Sequence, residues 1–304
     1  MERYVIGVDL GGTKVEACLM DSKRNILSRR RTFSEPSLGL ARVVENISKV
    51  VAEAAGDQRF EAVGMGTPGT YLPALDQLFG VPHTPVYETP GFIESIRSRL
   101  NIPMLIDNDA NCLALAEYFA SCPGRYRFVL AVIIGTGMGY GLILDGKLYR
   151  GAIGGAGEIG HTTINYKGRA CECGRHGCAE AYLSGSSISR RFREVTGEML
   201  DVQAIYQRYQ RGDPAAQLLF EDSCKMMAEV FANAVNAFDL EAIILGGGVS
   251  NLPIWYEKVP PLLNQSLFGP PRGDVPVLKA ALGDSAGVAG AAYLALRHLG
   301  LMSF

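Results

Sequence analysis

The 304-residue chain lacks the signals that would tie it to a membrane, to nucleic acid or to secretion. No apolar run approaches the roughly 20 residues that cross a bilayer, and Met1 to Asp9 leads into a strand pattern instead of a signal peptide. A cytoplasmic protein with no membrane partner is expected. Excess charge is missing too: 29 basic against 31 acidic residues leave a formal net charge of −2, which argues against a nucleic-acid surface. The one dense basic stretch, Lys23 to Arg31, is broken by Asn25, Ile26, Leu27 and Ser28. Arg29, Arg30 and Arg31 are therefore read as a strand with solvated alternate positions and no function. Neither a G-x-x-x-x-G-K-[ST] string nor a dinucleotide fingerprint with its later acidic residue occurs, so a nucleotide site here would be of another kind.

What is present describes a globular protein with a large core: 48% of residues are hydrophobic and 20% charged. Single cores rarely grow past about 250 residues, so two lobes with a cleft between them are expected. Tyr4 to Asp9 is an apolar strand that stops at a glycine turn, and Val15 to Met20 is strand-like again. A strand at Ile26 to Thr32, a helix from Leu38 to Ala55 and a strand at Ala62 to Gly66 follow, then a proline-rich loop from Pro68 to Pro90. A helix near Ile93 to Leu100, a strand at Met104 to Ile106 and a helix from Ala110 to Ser121 close the first part. After Pro123-Gly124 the opening pattern returns, with Phe128 to Ile134, a turn at Gly135-Thr136-Gly137 and Gly141 to Leu144, as in a second copy of the first lobe. Leu219, Met227, Val230, Phe231, Ala234, Val235 and Phe238 recur at helical spacing and belong to a core. Ala242 to Leu245 reads as a buried strand and Asp284 to Leu296 as a last helix of small residues that can cross back to the first lobe.

Three glycine turns follow strands: Asp9-Leu10-Gly11-Gly12-Thr13-Lys14, Gly135-Thr136-Gly137-Met138-Gly139 and Gly246-Gly247-Gly248. Turns without Cβ atoms let backbone N–H groups approach a phosphate chain, and three of them at strand ends suit a nucleotide. Cys18, Cys112, Cys122 and Cys224 are scattered through apolar stretches, whereas Cys171, Cys173 and Cys178 crowd together. Three thiolates in a reducing compartment suit a tetrahedral Zn²⁺ that needs one further ligand. Asp109, directly after a strand and opening a helix, is placed to serve as a general base, or as a helix cap. Alternation along the strand points neighbouring Asp107 to the other face, so Asp107→Asn is expected to behave nearly like wild type.

Four strings together resemble the ROK family of sugar kinases and repressors. They are D-L-G-G-T-K at Asp9 to Lys14, N-D-A-N at Asn108 to Asn111, G-E-I-G-H at Gly157 to His161 and C-x-C-G-x-x-G-C-x-E at Cys171 to Glu180. The resemblance runs from about Val5 to Ala292. It implies an α/β protein of two ribonuclease-H-like, actin/hexokinase-type lobes with mixed sheets flanked by helices. Residues 1–120 with 288–304 would form a small lobe and 121–287 a large one with a zinc loop at about 151–182. It also implies transfer of the ATP γ-phosphoryl group to a hexose, with catalytic Mg²⁺, structural Zn²⁺ and a homodimer. By motif match Asp9, Gly11, Gly12, Thr13 and Lys14 face phosphates and Mg²⁺, Gly135, Thr136 and Gly137 hold phosphates, and Gly246 and Gly247 lie by the adenosine. Asp109 becomes the base, and Asn108, Asp109, Glu158, His161 and Glu180 the sugar ligands. His161 joins Cys171, Cys173 and Cys178 on zinc, with His176 as the rival ligand.

The sequence departs from the glucokinase and fructokinase branches in one place. They usually carry an asparagine pair after the G-x-P-G turn, whereas no asparagine occurs here between Gly66 and Leu100, and His83 is the candidate to replace it. Strings at 131–137, 246–251 and 283–292 lean toward the family's fructokinase and N-acetylglucosamine kinase branches; a fructokinase-like hexose 6-kinase is expected, with an N-acetylglucosamine or N-acetylmannosamine kinase as the alternative and a non-catalytic sugar sensor behind both. The family's repressors place a DNA-binding helix-turn-helix before the first lobe, and the nine residues up to Asp9 give no room for one.

Overall fold

The computed structural model describes residues 2–81, 84–122, 124–270 and 273–303; His83 lies outside them. In chain order the elements are β1 (Tyr4–Leu10), β2 (Lys14–Asp21), β3 (Ile26–Phe33), α1 (Leu40–Ala55), β4 (Val63–Thr67), β5 (Thr70–Leu72), β6 (Gln77–Phe79), α2 (Phe92–Leu100), β7 (Met104–Asn108) and α3 (Asp109–Ser121). They continue with β8 (Val129–Ile134), β9 (Met138–Leu144), β10 (Lys147–Tyr149), α4 (Glu180–Leu183), α5 (Gly185–Thr196), α6 (Val202–Gln210), α7 (Pro214–Phe238), β11 (Ala242–Gly246), α8 (Ile254–Gln265), β12 (Val277–Lys279) and α9 (Ala286–His298). The chain forms two compact units, one of Met1–Glu117, Leu148–Ala156 and Asp284–Phe304, the other of Tyr118–Lys147 and Gly157–Gly283. Residues 148–156, expected with the later lobe, cluster with the first unit.

The first sheet runs β3-β2-β1-β4-β7 and the second β10-β9-β8-β11-β12. In each, a central strand pairs antiparallel with the strand after its glycine turn and parallel with a later one: β1 with β2 and β4, β8 with β9 and β11. The α/β class with two mixed sheets, and the repeat of the opening pattern, are therefore present as read from the sequence.

The central strands β1, β4, β8 and β11 are buried along nearly their whole length, and in the first sheet helices cover both faces. In the first unit α1 presents Val43, Ile47, Val50, Val51 and Ala54 at helical spacing to a core with Ile6, Val8, Met65 and Phe92. In the second, α7 starts at Pro214 under an Asp213 cap that accepts the N–H groups of Ala215 and Ala216, and buries Phe220, Met227 and Phe231. Among the described residues no helix is long and apolar enough to cross a membrane.

The other face of the first sheet is covered by α9 at unusually short range. A Cβ on Gly7 of β1 would lie 2.1 Å from the Val288 carbonyl oxygen, and one on Gly64 of β4 would lie 1.7 Å from that of Ala291. Backbone rests on backbone there, so no methyl group fits without moving the helix. Gly64→Ala should cost at least the ~3 kcal/mol at the upper end of ordinary overpacking, or prevent folding, while Gly273→Ala, which meets nothing within 4 Å, should change stability by less than about 0.5 kcal/mol. Urea unfolding of both variants checks this.

Candidate functional site

In the first unit the turn after β1 is closed by Gly11 N–H donating to the Lys14 carbonyl at 2.9 Å. The buried Tyr87 ring stacks on Phe92, centroids 5.2 Å apart, and its hydroxyl donates to the Gly11 carbonyl at 3.1 Å. A Cβ on Gly12 would come within 3.0 Å of Thr84 Oγ1. The loop before α2 thus braces this turn from behind, a role for Tyr87 and Thr84 that no local sequence pattern announces.

Asp9, near the end of β1, faces the first turn of α9, where a Cβ on Gly287 would sit 2.5 Å from its Oδ2. Burial pushes its carboxyl up to about 7; the charges of Asp109 and Glu16 add to the rise, and Arg31 and Arg29 oppose it. Those arginines are not simply solvated. Arg29 Nε and Arg31 Nε both bond the buried Glu16 carboxylate, and Arg29 also donates to Ser285 Oγ at 2.7 Å. The solvated-strand reading holds only for Arg30, because side chains two apart on β3 share the face of Glu16 on β2.

At the junction of β7 and α3, Asn108 serves as the helix cap: its Oδ1 accepts from Ala110 N at 2.8 Å and Asn111 N at 3.3 Å, and its Nδ2 donates to the Gly69 carbonyl at 3.0 Å. Asp109 Oδ1 accepts from Ala110 N at 2.7 Å. Asp107 corrects the sequence expectation. Its side chain is 5% exposed and bonds Arg150 Nε through Oδ2, while Oδ1 accepts from Asn111 Nδ2 at 2.8 Å and Asn108 N at 2.9 Å. A buried carboxylate with three donors is not a neutral site for substitution. Residues two apart on a strand share a face, so alternation does not set Asp107 opposite Asp109, and the strand ends at Asn108, where a helix begins at once.

In the second unit the Gly135-Thr136-Gly137 turn closes through Gly135 N–H to the Gly137 carbonyl at 3.0 Å, and the start of α5 packs onto it. Gly185 N–H donates to the Gly135 carbonyl at 2.9 Å, and Ser186 Oγ to that of Thr136 at 2.7 Å. Beside this turn lies a cavity of about 470 Å³ lined by Gly135, Thr136, Ser186, Gly248 and Val249 among others. Of the third glycine run, Gly248 reaches the cavity; Gly246 ends β11, and a Cβ on Gly247 would lie 2.5 Å from the Ile134 carbonyl oxygen. Sequence reasoning missed Ser186, which follows Glu180 without periodicity or motif.

Glu180 opens α4, and its Oε2 accepts from Met138 N at 2.9 Å, next to the same turn. Its Oε1 lies 4.0 Å from His161 Nδ1. Glu158 is exposed, and its carbonyl accepts from His161 N at 3.1 Å. The loop between them is seated on buried Tyr140, whose ring lies 2.7 Å from where a Cβ of Gly160 would stand.

His161, Cys171, Cys173 and Cys178 place one donor atom each within 4.8 Å of all the others. Cys171 Sγ is 3.5 Å from His161 Nδ1, and Cys173 Sγ is 3.6 Å from Cys178 Sγ. A zinc tetrahedron with Zn–S near 2.3 Å and Zn–N near 2.05 Å puts sulfurs ~3.8 Å apart and sulfur and nitrogen ~3.5 Å apart. The four donors fit such an ion. His176 is not among them; it sits on the loop's short bridge to Ala170.

The ROK family profile matches residues 5–298. The chain is 34% identical to an N-acetyl-D-glucosamine kinase of Pasteurella multocida over 310 residues, covering 95% of this chain and 98% of that one. It is similar to the crystal structure of a ROK hexokinase from Thermus thermophilus, with a TM-score of 0.86 and 31% identity over 97% of this chain and 99% of that one. A ROK family glucokinase from Streptomyces griseus, solved with glucose and AMPPNP, gives a TM-score of 0.80 and 31% identity over 96% and 98% of the two chains. With a profile spanning nearly every residue, and the two repeated sheets and the four motif strings in place, the chain belongs to the ROK family.

Proposed function

We propose that this chain is a sugar kinase that transfers the γ-phosphoryl group of ATP to the 6-hydroxyl of N-acetylglucosamine. The observation that carries the amino sugar is the full-length similarity to N-acetyl-D-glucosamine kinases, 34% to that of Pasteurella multocida and 32% to that of Haemophilus influenzae. It supports the alternative drawn from the sequence over the fructokinase-like reading. Homodimerisation and residence in the cytoplasm complete the proposal and rest on family membership alone.

The nucleotide occupies the cavity beside Gly135, Thr136 and Gly137, with the adenosine toward Gly246, Gly247 and Gly248. The phosphate-binding roles fall, in the second unit, to backbone N–H groups of Gly135, Thr136 and Gly137 and, in the first unit, to those of Gly11, Gly12 and Thr13, with Lys14 adding charge. Two carboxylates near enough for Asp109 to raise Asp9 offer hard oxygen donors that suit a divalent cation. Mg²⁺, when bound with ATP, neutralises charge on the phosphates. Asp109 accepts the proton of the 6-hydroxyl as that oxygen attacks phosphorus. The sugar-binding roles fall, in the second unit, to Glu158 and Glu180 Oε1 and, in the first unit, to the remaining N–H of Asn108, whose other polar atoms cap α3 and bond the Gly69 carbonyl. With His161 Nδ1 facing Cys171, its Nε2 N–H is directed at the sugar.

Asp109→Asn keeps the size of the side chain and removes its ability to take the proton. In a coupled ADP-release assay with N-acetylglucosamine it should lose about 10²–10⁴ in kcat while KM for both substrates stays within a few-fold. Unimpaired turnover by this variant would reject the base assignment.

The four-donor cluster is a structural zinc site in this reading, since protein fills every position of the tetrahedron. Elemental analysis should find about one zinc per chain, and Cys173→Ser should lose both the metal and thermal stability. A metal-free protein of full activity would contradict the assignment.

Asp9 yields a pH test on protein free of nucleotide and magnesium. A carboxyl pushed up to about 7 in the fold, against about 3.9 unfolded, binds its proton more tightly when folded. That stabilisation is complete below pH ~4 and is lost as pH rises through ~7. Asp9→Asn has no such proton to lose. Its melting temperature should exceed that of wild type at pH 8.5, by an amount reflecting at most about 4 kcal/mol, and the gap should shrink as the pH falls and close at pH ~4. A gap independent of pH, read by scanning fluorimetry, would contradict the raised carboxyl of Asp9.

A further inference from the structure

We propose that Arg150 is a positioning residue for Asp109, acting through its ion pair with Asp107. The inference rests on the reading of Asp109 as the base. One oxygen of the buried Asp107 carboxylate accepts both the Asn108 backbone N–H at 2.9 Å and the Asn111 side-chain N–H at 2.8 Å. Those donors bracket Asp109 on either side. Asp107 therefore staples the first turn of α3 to the end of β7 at the point where the base is presented. Thr67 Oγ1 adds a contact to the Asp107 carbonyl at 3.5 Å, so the preceding turn is tied to the same place.

A staple of this kind works only while Asp107 is a strong acceptor. At 5% exposure its charge is paired by the Arg150 guanidinium on Oδ2. Arg150 is itself held at the neck of a small closed loop. Its carbonyl accepts from Ala156 N at 3.2 Å, and Gly151, with φ 71°, brings the loop back so that a Cβ there would be 3.0 Å from the Ala156 Cβ. Without the guanidinium the buried carboxylate loses its charge partner and admits water. That weakens both bonds to Oδ1 and frees the backbone around Asp109. Displacement of a reacting group by about 1 Å costs up to ~10² in rate.

The proposal separates from a merely structural role by a split of kinetic constants and by a cycle of variants. Arg150→Met should lower kcat by about tenfold or more with KM for ATP unchanged, and should speed hydrogen exchange in the peptide spanning residues 106–113. Arg150→Lys, which restores a point charge without the planar fork, should recover part of kcat. In the double variant Arg150→Met with Asp107→Asn, the buried charge is gone and the amide oxygen still accepts from Asn108 and Asn111. Its activity should exceed that expected from multiplying the two single losses. Wild-type kcat in Arg150→Met, or strictly multiplicative losses in the double variant, would overturn the proposal; if Arg150→Met does not fold, Arg150→Lys and Asp107→Asn carry the same comparison. Faster exchange over 106–113 in a protein whose wild type phosphorylates no sugar would uphold the ion pair's positioning and reject the kinase reading instead.

Discussion

Bare backbone against bare backbone is the constraint from which the first unit is built. Because Gly7 and Gly64 carry no Cβ, α9 lies against β1 and β4 within van der Waals range of the peptide groups themselves. The same helix meets α3 through Gly290, where a Cβ would stand 1.7 Å from the Cys112 carbonyl oxygen. Two helices and two strands are thereby locked at distances that larger residues would not allow. The consequences reach the chemistry. The first turn of α9 is set down on the Asp9 carboxylate at Gly287, and α3 enters close enough to β4 that a Cβ on Gly66 would lie 3.6 Å from Asp109 Cα. Asp9 and Asp109 feel each other's charge because the helices behind them have no side chains to hold them off.

The first unit then handles its inward carboxylates in three ways. Glu16 is neutralised by two arginines, Arg29 and Arg31. Asp107 has one, Arg150. Asp9 is only partly offset by Arg29 and Arg31, which are already engaged by Glu16, and its carboxyl rises to about 7. Glu16 and Asp107 have their charge paired within the protein, whereas Asp9 is left with a raised carboxyl, as the proposed cation and phosphate site requires. Perturbed carboxyls beside open turns are the usual mark of a reacting centre.

Much of this was legible in the sequence because its carriers are local. A glycine turn after an apolar run marks β1, β2, β8 and β9, and three cysteines within eight residues of one another mark the loop of the four-donor cluster. The pairs that complete the site are not local. Arg150 and Asp107 are 43 residues apart, and Tyr87 meets Gly11 across 76. Neither leaves a periodic or spaced pattern. Proline also misled where tertiary contacts prevailed over propensity: the stretch from Pro68 to Pro90, read as a loop, contains the hairpin β5 and β6. The N-D-A-N string was readable as a helix start, but the capping residue is Asn108, which left Asp109 for another task.

Transfer of phosphate to an amino sugar can be read out in a single competition experiment. Equal concentrations of N-acetylglucosamine, glucose, mannose and fructose are offered together with limiting ATP and Mg²⁺, and the phosphorylated products are resolved by ³¹P NMR and mass spectrometry. N-acetylglucosamine 6-phosphate should dominate the mixture. A mixture dominated by fructose 6-phosphate, or one in which ATP is consumed without any sugar phosphate, would contradict it.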